Sequence, residues 1–263
     1  MSPAHHTNEP EAAPARQKRS GKAKKQRSGQ GQPTPWYIEY PVIFIVAFAV
    51  LALLQSFVGR LYVIPSQSME PTLHGCTGCT GDRIYVDKLT YDFSDPHQGD
   101  VVVFKGPDSW DEGELAKRQD KGVMYTIKEL ASYVGFASPD DNYLVKRIIA
   151  TEGQTVSCQP GDPGIMVDGK LTDSSFTLSP MAYPPNDPAT SSAECQGKYF
   201  GPITVPDGNV FVMGDNRTNS ADSRYHLGDE LQGTIPVDNI DGKVRFIIYP
   251  FNRIGGVSSH QLQ

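Results

Sequence analysis

The chain has 263 residues, enough for one large or two modest domains beside a tail and an anchor. Its net charge of −6 hides a split: the first 35 residues carry seven basic side chains and two acidic ones, which leaves 17 basic against 28 acidic, a net −11, in the remainder. So acidic a body excludes a nucleic-acid-binding domain, which needs a basic face, and 25 glycines with 21 prolines point to turns and short strands, not to long helices.

Residues 1–35 are mostly Pro, Gly, Gln, Ser, Lys and Arg, with almost nothing apolar to bury, and read as a disordered basic tail. Nucleic-acid binding by this tail is the weaker use, because a basic stretch beside an apolar run has a simpler one. That run is Pro41–Val58, 18 residues in which Gln55 and Ser56 are the polar side chains. As a helix it spans roughly 27 Å, close to the hydrocarbon thickness of a bilayer. Trp36, Tyr37 and Tyr40 flank it on one side, Arg60 and Tyr62 on the other, as an aromatic belt would. The positive-inside rule keeps the tail in the cytoplasm and sends everything after Gly59 outside. A cleaved signal peptide is the competing reading. Cleavage wants small residues at −1 and −3, yet cutting after Ser56 or Gly59 puts Leu54 or Phe57 at −3. An uncleaved anchor over 36–60 is therefore expected, followed by an extracytoplasmic body over 61–256 and a C-terminal tail, 257–263. Leu61–Ile64, all apolar or aromatic, are expected to rest on the lipid surface.

Pro65-Ser66-Gln67-Ser68-Met69-Glu70-Pro71 comes next. Pro65 fixes its own φ, and Pro71 biases Glu70 toward extended geometry. A segment so restricted suits a serine that must sit at a defined attack distance, although a proline-bracketed surface turn has the same look. Cys76-Thr77-Gly78-Cys79 could be a redox pair, half a zinc site or a small disulfide loop. Zinc would need two further ligands, and beyond the nearby His74 no second Cys/His pair has suitable spacing. Four cysteines allow three pairings. The expected one joins Cys76 to Cys79 and Cys158 to Cys195, both structural, the second worth about 4 kcal/mol by loop closure.

Asp82–Asp87 alternates polar and apolar residues, a half-buried strand, and Gly99-Asp100 turns the chain into a buried strand at Val101–Phe104. Residues 105–142 are polar, with one short amphipathic helix marked by Ile127, Leu130, Ala131 and Val134 and capped at Gly135. Leu144–Ala150 reads as a strand interrupted by Lys146. An edge lysine that blunts the sheet is the ordinary explanation. The functional one is a lysine forced into an apolar pocket. Free lysine has a pKa near 10.4, and burial lowers it by about 3–5 units, enough for a general base. Arg147 would then face the other way, solvated or paired. Thr155–Ser157 and Ile165–Val167 read as short strands, 172–200 as a long excursion, and Asn209–Met213 as a strand. The last runs into Gly214-Asp215-Asn216-Arg217-Thr218-Asn219-Ser220-Ala221-Asp222-Ser223-Arg224, a hydrogen-bonded loop in which Asp222 pairs with an arginine. Val244–Tyr249 is the closing strand.

An anchor, the Pro-Ser-x-Ser-Met stretch, a Gly-Asp-Val-Val-Val-Phe strand, a Lys-Arg strand and then Gly-Asp-Asn-Arg-x-x-Ser-x-Asp-Ser-Arg, in that order, resemble bacterial type I signal peptidases, most of all the single-anchor actinobacterial kind. The likeness covers roughly residues 40–250. It implies a mainly β catalytic domain of two antiparallel sheet regions behind one transmembrane helix. It implies a serine–lysine endopeptidase that removes signal peptides from exported preproteins, cutting after small residues at −1 and −3. Ser68 matches the nucleophile and Lys146 the general base. Ser66 matches the hydroxyl that completes the oxyanion hole with the Ser68 N–H, Ser220 the serine that holds the lysine, and Asp222 with Arg224 the structural pair. Thr218 stands where many members carry Asp, so a secondary ion pair is not carried over there. The implied partners are signal peptides, the lipid bilayer and, left open, the export translocon; no nucleic acid, metal or cofactor is expected. The implied place is the plasma membrane, single-pass, N-terminus inside. Three rivals compete with this reading. One is a Ser-His-Asp protease using His97 or His226, and another is a non-enzymatic type II membrane protein with a ligand-binding ectodomain. A soluble self-cleaving repressor is the third, disfavoured by the anchor and the acidic body.

Overall fold

The computed structural model describes residues 35–76, 79–110 and 143–263. The expected tail up to residue 34 and the amphipathic helix at Ile127–Val134 lie outside them. The chain divides into two units, 1–43 and 44–263. Helix α1 (Trp36–Phe57) carries exposed apolar side chains all round, among them Trp36, Ile38 and Val42 in the first unit and Phe44, Ile45 and Leu53 in the second. A helix with no polar face belongs in an apolar solvent, and Trp36–Leu54 is long and apolar enough to cross a membrane.

The strands in chain order are β1 (Gly59–Val63), β2 (Arg83–Asp87), β3 (Val101–Lys105), β4 (Tyr143–Thr151), β5 (Thr155–Cys158), β6 (Met166–Val167), β7 (Lys170–Leu171), β8 (Ser191–Ser192), β9 (Gly197–Lys198), β10 (Phe200–Thr204), β11 (Asn209–Met213), β12 (Ile235–Pro236), β13 (Ile240–Tyr249) and β14 (Gly255–Gly256). An eight-stranded sheet has the order β1-β2-β13-β3-β4-β11-β12, with β14 on β13; β10-β5-β6-β7 form a second sheet and β8-β9 a ribbon. All the pairings are antiparallel. The protein is thus mainly β with two principal antiparallel sheets.

The alternation in β2 buries Ile84 and Val86 and leaves Arg83, Tyr85 and Asp87 partly exposed, as period-2 patterning requires. Leu61–Ile64 do not rest on lipid as a unit. Residues 59–63 pair with β2, and the alternation turns Tyr62 into the core, where Ile64 joins it. Four apolar residues in a row read as one surface; pleating sends them to two. The closing strand is longer than its hydrophobic pattern, Ile240–Tyr249, because three register shifts break the alternation. Gly242 is required there, since a Cβ would stand 2.5 Å from the Asp87 carbonyl oxygen. Residues 257–263 do not form a free tail. Leu262 is buried with Phe176 and the Cys158–Cys195 bridge, and the Leu262 carbonyl accepts from Asp173 N–H (2.8 Å). One valine and one leucine among five Ser, His and Gln residues give no pattern from which docking could be read.

Strand β4 lies inside the large sheet, with β3 on one side and β11 on the other, and Lys146 through Ala150 are buried. That position rules out the edge-lysine explanation.

Candidate active site

The serine segment is a turn pinned by its neighbours. Met69 and Leu73 are buried in the core beside β1 and β2, and Leu73 N–H donates to the Met69 carbonyl (2.9 Å). From the other side the loop after β11 clamps it: Asn216 N–H donates to Ser68 O and Asn216 Nδ2 to Gln67 O, both 3.1 Å. Gly214 must be glycine here, since a Cβ would meet Ser68 O at 2.4 Å and Ser220 Oγ at 2.3 Å. Two segments about 150 residues apart in sequence thus fix the backbone of one serine.

Ser68 is 9% exposed and Lys146 3%. Lys146 Nζ stands 2.7 Å from Ser68 Oγ. Burial drives the amine down from 10.5 to about 8, partly opposed by the charges of Asp222 and Asp215 and reinforced by Arg224. At pH 7 roughly one molecule in ten then holds a neutral amine, against a few per ten thousand for free lysine. Ser66 Oγ lies 3.2 Å from Ser68 Oγ. Pro65, Ser66, Gln67, Ser68, Cys76 and Asn219 line an open cleft of about 360 Å³ at this point.

Behind the dyad lies a charged network, of which local sequence marks only a part. Asp222, fully buried, takes two bonds from the Arg224 guanidinium (Nε 2.9 Å, Nη2 2.8 Å), one from Arg224 N–H (3.3 Å) and one from Gly214 N–H (3.0 Å). Burial opposes its charge, but Arg224 and the hydrogen bonds win and hold its carboxyl below the usual range. Arg147 is not solvated. It and Asp215 are both fully buried and form a forked pair at 2.9 and 2.6 Å, with Arg147 Nη1 also donating to Gly99 O (2.7 Å). Thr72 Oγ1 donates to the same carboxylate (2.5 Å), which ties the serine turn to the network. Asp215 is visible in the sequence only as part of a polar loop, because nothing local marks a partner 68 residues away. Ser220 is buried, but its Oγ has no hydrogen-bond partner, so in this state it does not hold Lys146.

Cys76 is bonded to Cys79 and Cys158 to Cys195. His74, beside the first bridge, shares Nδ1 with Glu70 Oε1 (2.7 Å). Bridged sulfurs are not thiolate ligands, so the cluster His74, Cys76, Cys79 does not have a zinc donor set. His226 is stacked on Trp110 at 4.2 Å and His97 N–H faces Asp100. The hydrogen-bond partners of Ser68 Oγ are Lys146 and Ser66.

A hydroxyl touching a buried, partly neutral amine, at the floor of a cleft on an antiparallel β scaffold, is the arrangement of a serine–lysine hydrolase. Sequence comparison agrees with that class. Residues 37–249 match the family model "Signal peptidase, peptidase S26". A probable signal peptidase I of Mycobacterium leprae is 46% identical, covering 84% of this chain and 79% of its own length. A signal peptidase I of Mycobacterium tuberculosis is 47% identical over 84% and 75%. A probable signal peptidase I of Synechocystis is 34% identical over 86% and 91%. The chain belongs to the signal peptidase family.

Proposed function

We propose that Ser68 is the nucleophile and Lys146 the general base of this enzyme. The protein is a serine endopeptidase, and it removes signal peptides from exported preproteins. The single observation that carries the residue assignment is the 2.7 Å contact between a hydroxyl and an amine kept dry enough to lose its proton near neutrality.

The steps balance with these groups alone. Neutral Lys146 takes the Ser68 proton, and the alkoxide adds to the scissile carbonyl carbon. The negative charge that develops on the carbonyl oxygen is met by the Ser66 hydroxyl and the Ser68 N–H. The C–N bond breaks, the Lys146 ammonium protonates the leaving amine, and an ester to Ser68 remains. Lys146, neutral again, deprotonates a water that attacks the ester carbon; the C–O bond to Ser68 breaks, the Lys146 ammonium returns the proton to Ser68 Oγ, and the new C-terminal acid leaves. While it is an ammonium, the lysine has three N–H donors to satisfy, and Ser220 Oγ supplies the extra acceptor. Asp222–Arg224 holds the loop that carries Ser220. The cleft lined by Pro65, Ser66, Gln67, Ser68, Cys76 and Asn219 takes small side chains at −1 and −3.

The protein is membrane-anchored. The basic tail, 1–35, stays in the cytoplasm, 36–60 crosses the plasma membrane, and 61–263 works outside. A preprotein held in the same bilayer is confined to two dimensions, which raises its effective concentration at Ser68. The export translocon is a natural neighbour on that ground. The test is incubation of the full chain, in detergent, with a preprotein bearing Ala at −1 and −3. One cut after the −1 residue is expected, absent in Ser68→Ala and in Lys146→Ala when both remain folded. Undiminished cutting by either folded variant would sink the assignment.

A further inference from the structure

A second cavity, of about 300 Å³, shares no described residue with the catalytic cleft. It lies between the loop after β11 and the β8–β9 ribbon, and it contains no acidic residue among the described residues that line it. Arg217 forms part of its wall. That side chain is 4% exposed, and of its five N–H donors Nε is spent on Gly214 O (3.1 Å), while Nη1 is buried with no partner at all. The Phe176 ring, its centroid 5.6 Å from the guanidinium, offers a π-face but no anionic charge. A buried guanidinium that lacks both a counter-charge and a full set of acceptors is costly to fold.

The nearby carboxylates do not solve the problem. Asp215 is held by Arg147 and Asp222 by Arg224, each through two bonds. Three arginines therefore share two carboxylates, and Arg217 is the one without an ion pair among the described residues. Burial and the neighbouring Arg224 depress its pKa to about 10, with Asp215 and Asp222 holding it up. Lys198, exposed at the rim, adds a further positive charge. Four further lining residues are aromatic: Tyr183, Tyr199, Phe200 and Tyr225. A cavity of this size is at the small end of ligand pockets. Charge and lining together specify an occupant with one negative group and a flat apolar body.

We propose that this cavity binds a small carboxylate carrying an aromatic ring, with the Arg217 guanidinium as its counter-charge. The carboxylate supplies the negative charge that the Arg217 guanidinium lacks at the cavity wall, and the ring packs among the tyrosines. The site is separate from peptide cleavage and needs neither Ser68 nor Lys146.

The experiment uses the full chain in detergent, at constant ionic strength, with sodium benzoate as the probe and sodium chloride as the reference. At ten times its dissociation constant, benzoate should raise the thermal midpoint by about 3 °C. Ser68→Ala should show the same rise. Arg217→Gln should lose it. Thr218→Asp, which places a carboxylate on the cavity wall, should raise the midpoint without ligand and abolish the response; it decides the matter alone if Arg217→Gln does not fold. Inorganic phosphate, tested in parallel, should shift the midpoint less than benzoate. A benzoate rise no larger than that of chloride, a rise that persists in Thr218→Asp, or a phosphate rise as large as that of benzoate would overturn the proposal.

Discussion

Lys146 and Arg147 are consecutive on β4, both cationic and both buried, and the two sides of that strand treat them in opposite ways. On one side Lys146 has no carboxylate at bonding distance and a hydroxyl for a partner, and burial pulls its pKa toward neutrality. On the other, Arg147 is locked onto Asp215, Gly99 O and Phe176, whose ring lies 4.4 Å below its guanidinium. The side chains suit their sides: lysine sheds a proton when dehydrated, whereas arginine keeps its charge and needs a planar set of acceptors. Desolvation without an ion partner makes a base; desolvation with one makes a brace. The loop that carries the brace also reaches the serine turn, because Asp215 accepts from Thr72 and Asn216 N–H donates to Ser68 O.

The strongest way to break the contrast is Lys146→Arg. It keeps a positive charge in the pocket and removes the ability to lose a proton. Cleavage should fall by about 10⁴-fold, comparable to losing a member of a catalytic triad, with circular dichroism unchanged. Residual cleavage within tenfold of the parent would mean that the charge matters and the base does not. A companion measurement needs no variant. The log of kcat/KM should climb by about one per pH unit and level off near the value of about 8 set by the dry amine. The sign for stability comes from the same group. Its folded pKa, about 8, lies below its unfolded value of 10.5, so the unfolded chain binds more protons between those limits. Stability therefore rises with pH through that window, and a Lys146→Met variant should lose the rise.

Arg147→Lys sharpens the contrast from the other side. The charge survives, but an ammonium cannot span both Asp215 oxygens and Gly99 O. Leaving part of a fully buried pair unmet costs roughly 3 kcal/mol, which should lower the thermal midpoint by about 6–12 °C for a domain of this size. Cleavage per folded molecule should stay within a few-fold. A stable variant with crippled cleavage would reverse the assignment and make Arg147 part of the chemistry.

How much of the molecule is legible in its sequence depends on whether a feature is local. The apolar run at 41–58, the strands read at 82–87, 101–104 and 209–213, and the anomaly of a lysine inside an apolar run are all patterns within a few residues, and each corresponds to a helix or strand of the structure. Ser68 and Lys146 are paired in the sequence only by resemblance; periodicity gives no reason to bring residues 78 apart into contact. Asp215, Arg147 and Arg217 are legible as residues of a polar loop and a strand, not as a charge cluster, because the balance of three arginines against two carboxylates appears only once β4 and β11 lie side by side. Burial of Tyr62, Ile64 and Leu262 escapes a sequence reading for the same reason. A strand on a covered sheet and a docked chain end depend on what covers them.

Ser220→Ala is the smallest of the expected effects and the most specific. The hydroxyl is buried without a partner in the free enzyme, so its removal should leave the thermal midpoint unchanged or slightly raised, since an orphaned polar group contributes only a desolvation cost. The hydroxyl borders the Ser68 backbone across Gly214, where a Cβ would meet Ser220 Oγ at 2.3 Å and Ser68 O at 2.4 Å. Above about pH 8, where Lys146 rests neutral, a group idle in the ground state and taken up when the amine becomes an ammonium acts on the transition state alone. A charge-assisted bond of that kind is worth about 1.5–3 kcal/mol, or roughly 10- to 150-fold in kcat, with KM little changed. A matching loss of stability would show instead that the hydroxyl is a packing group, and equal kcat in the two proteins would leave the lysine oriented by burial and Ser68 alone.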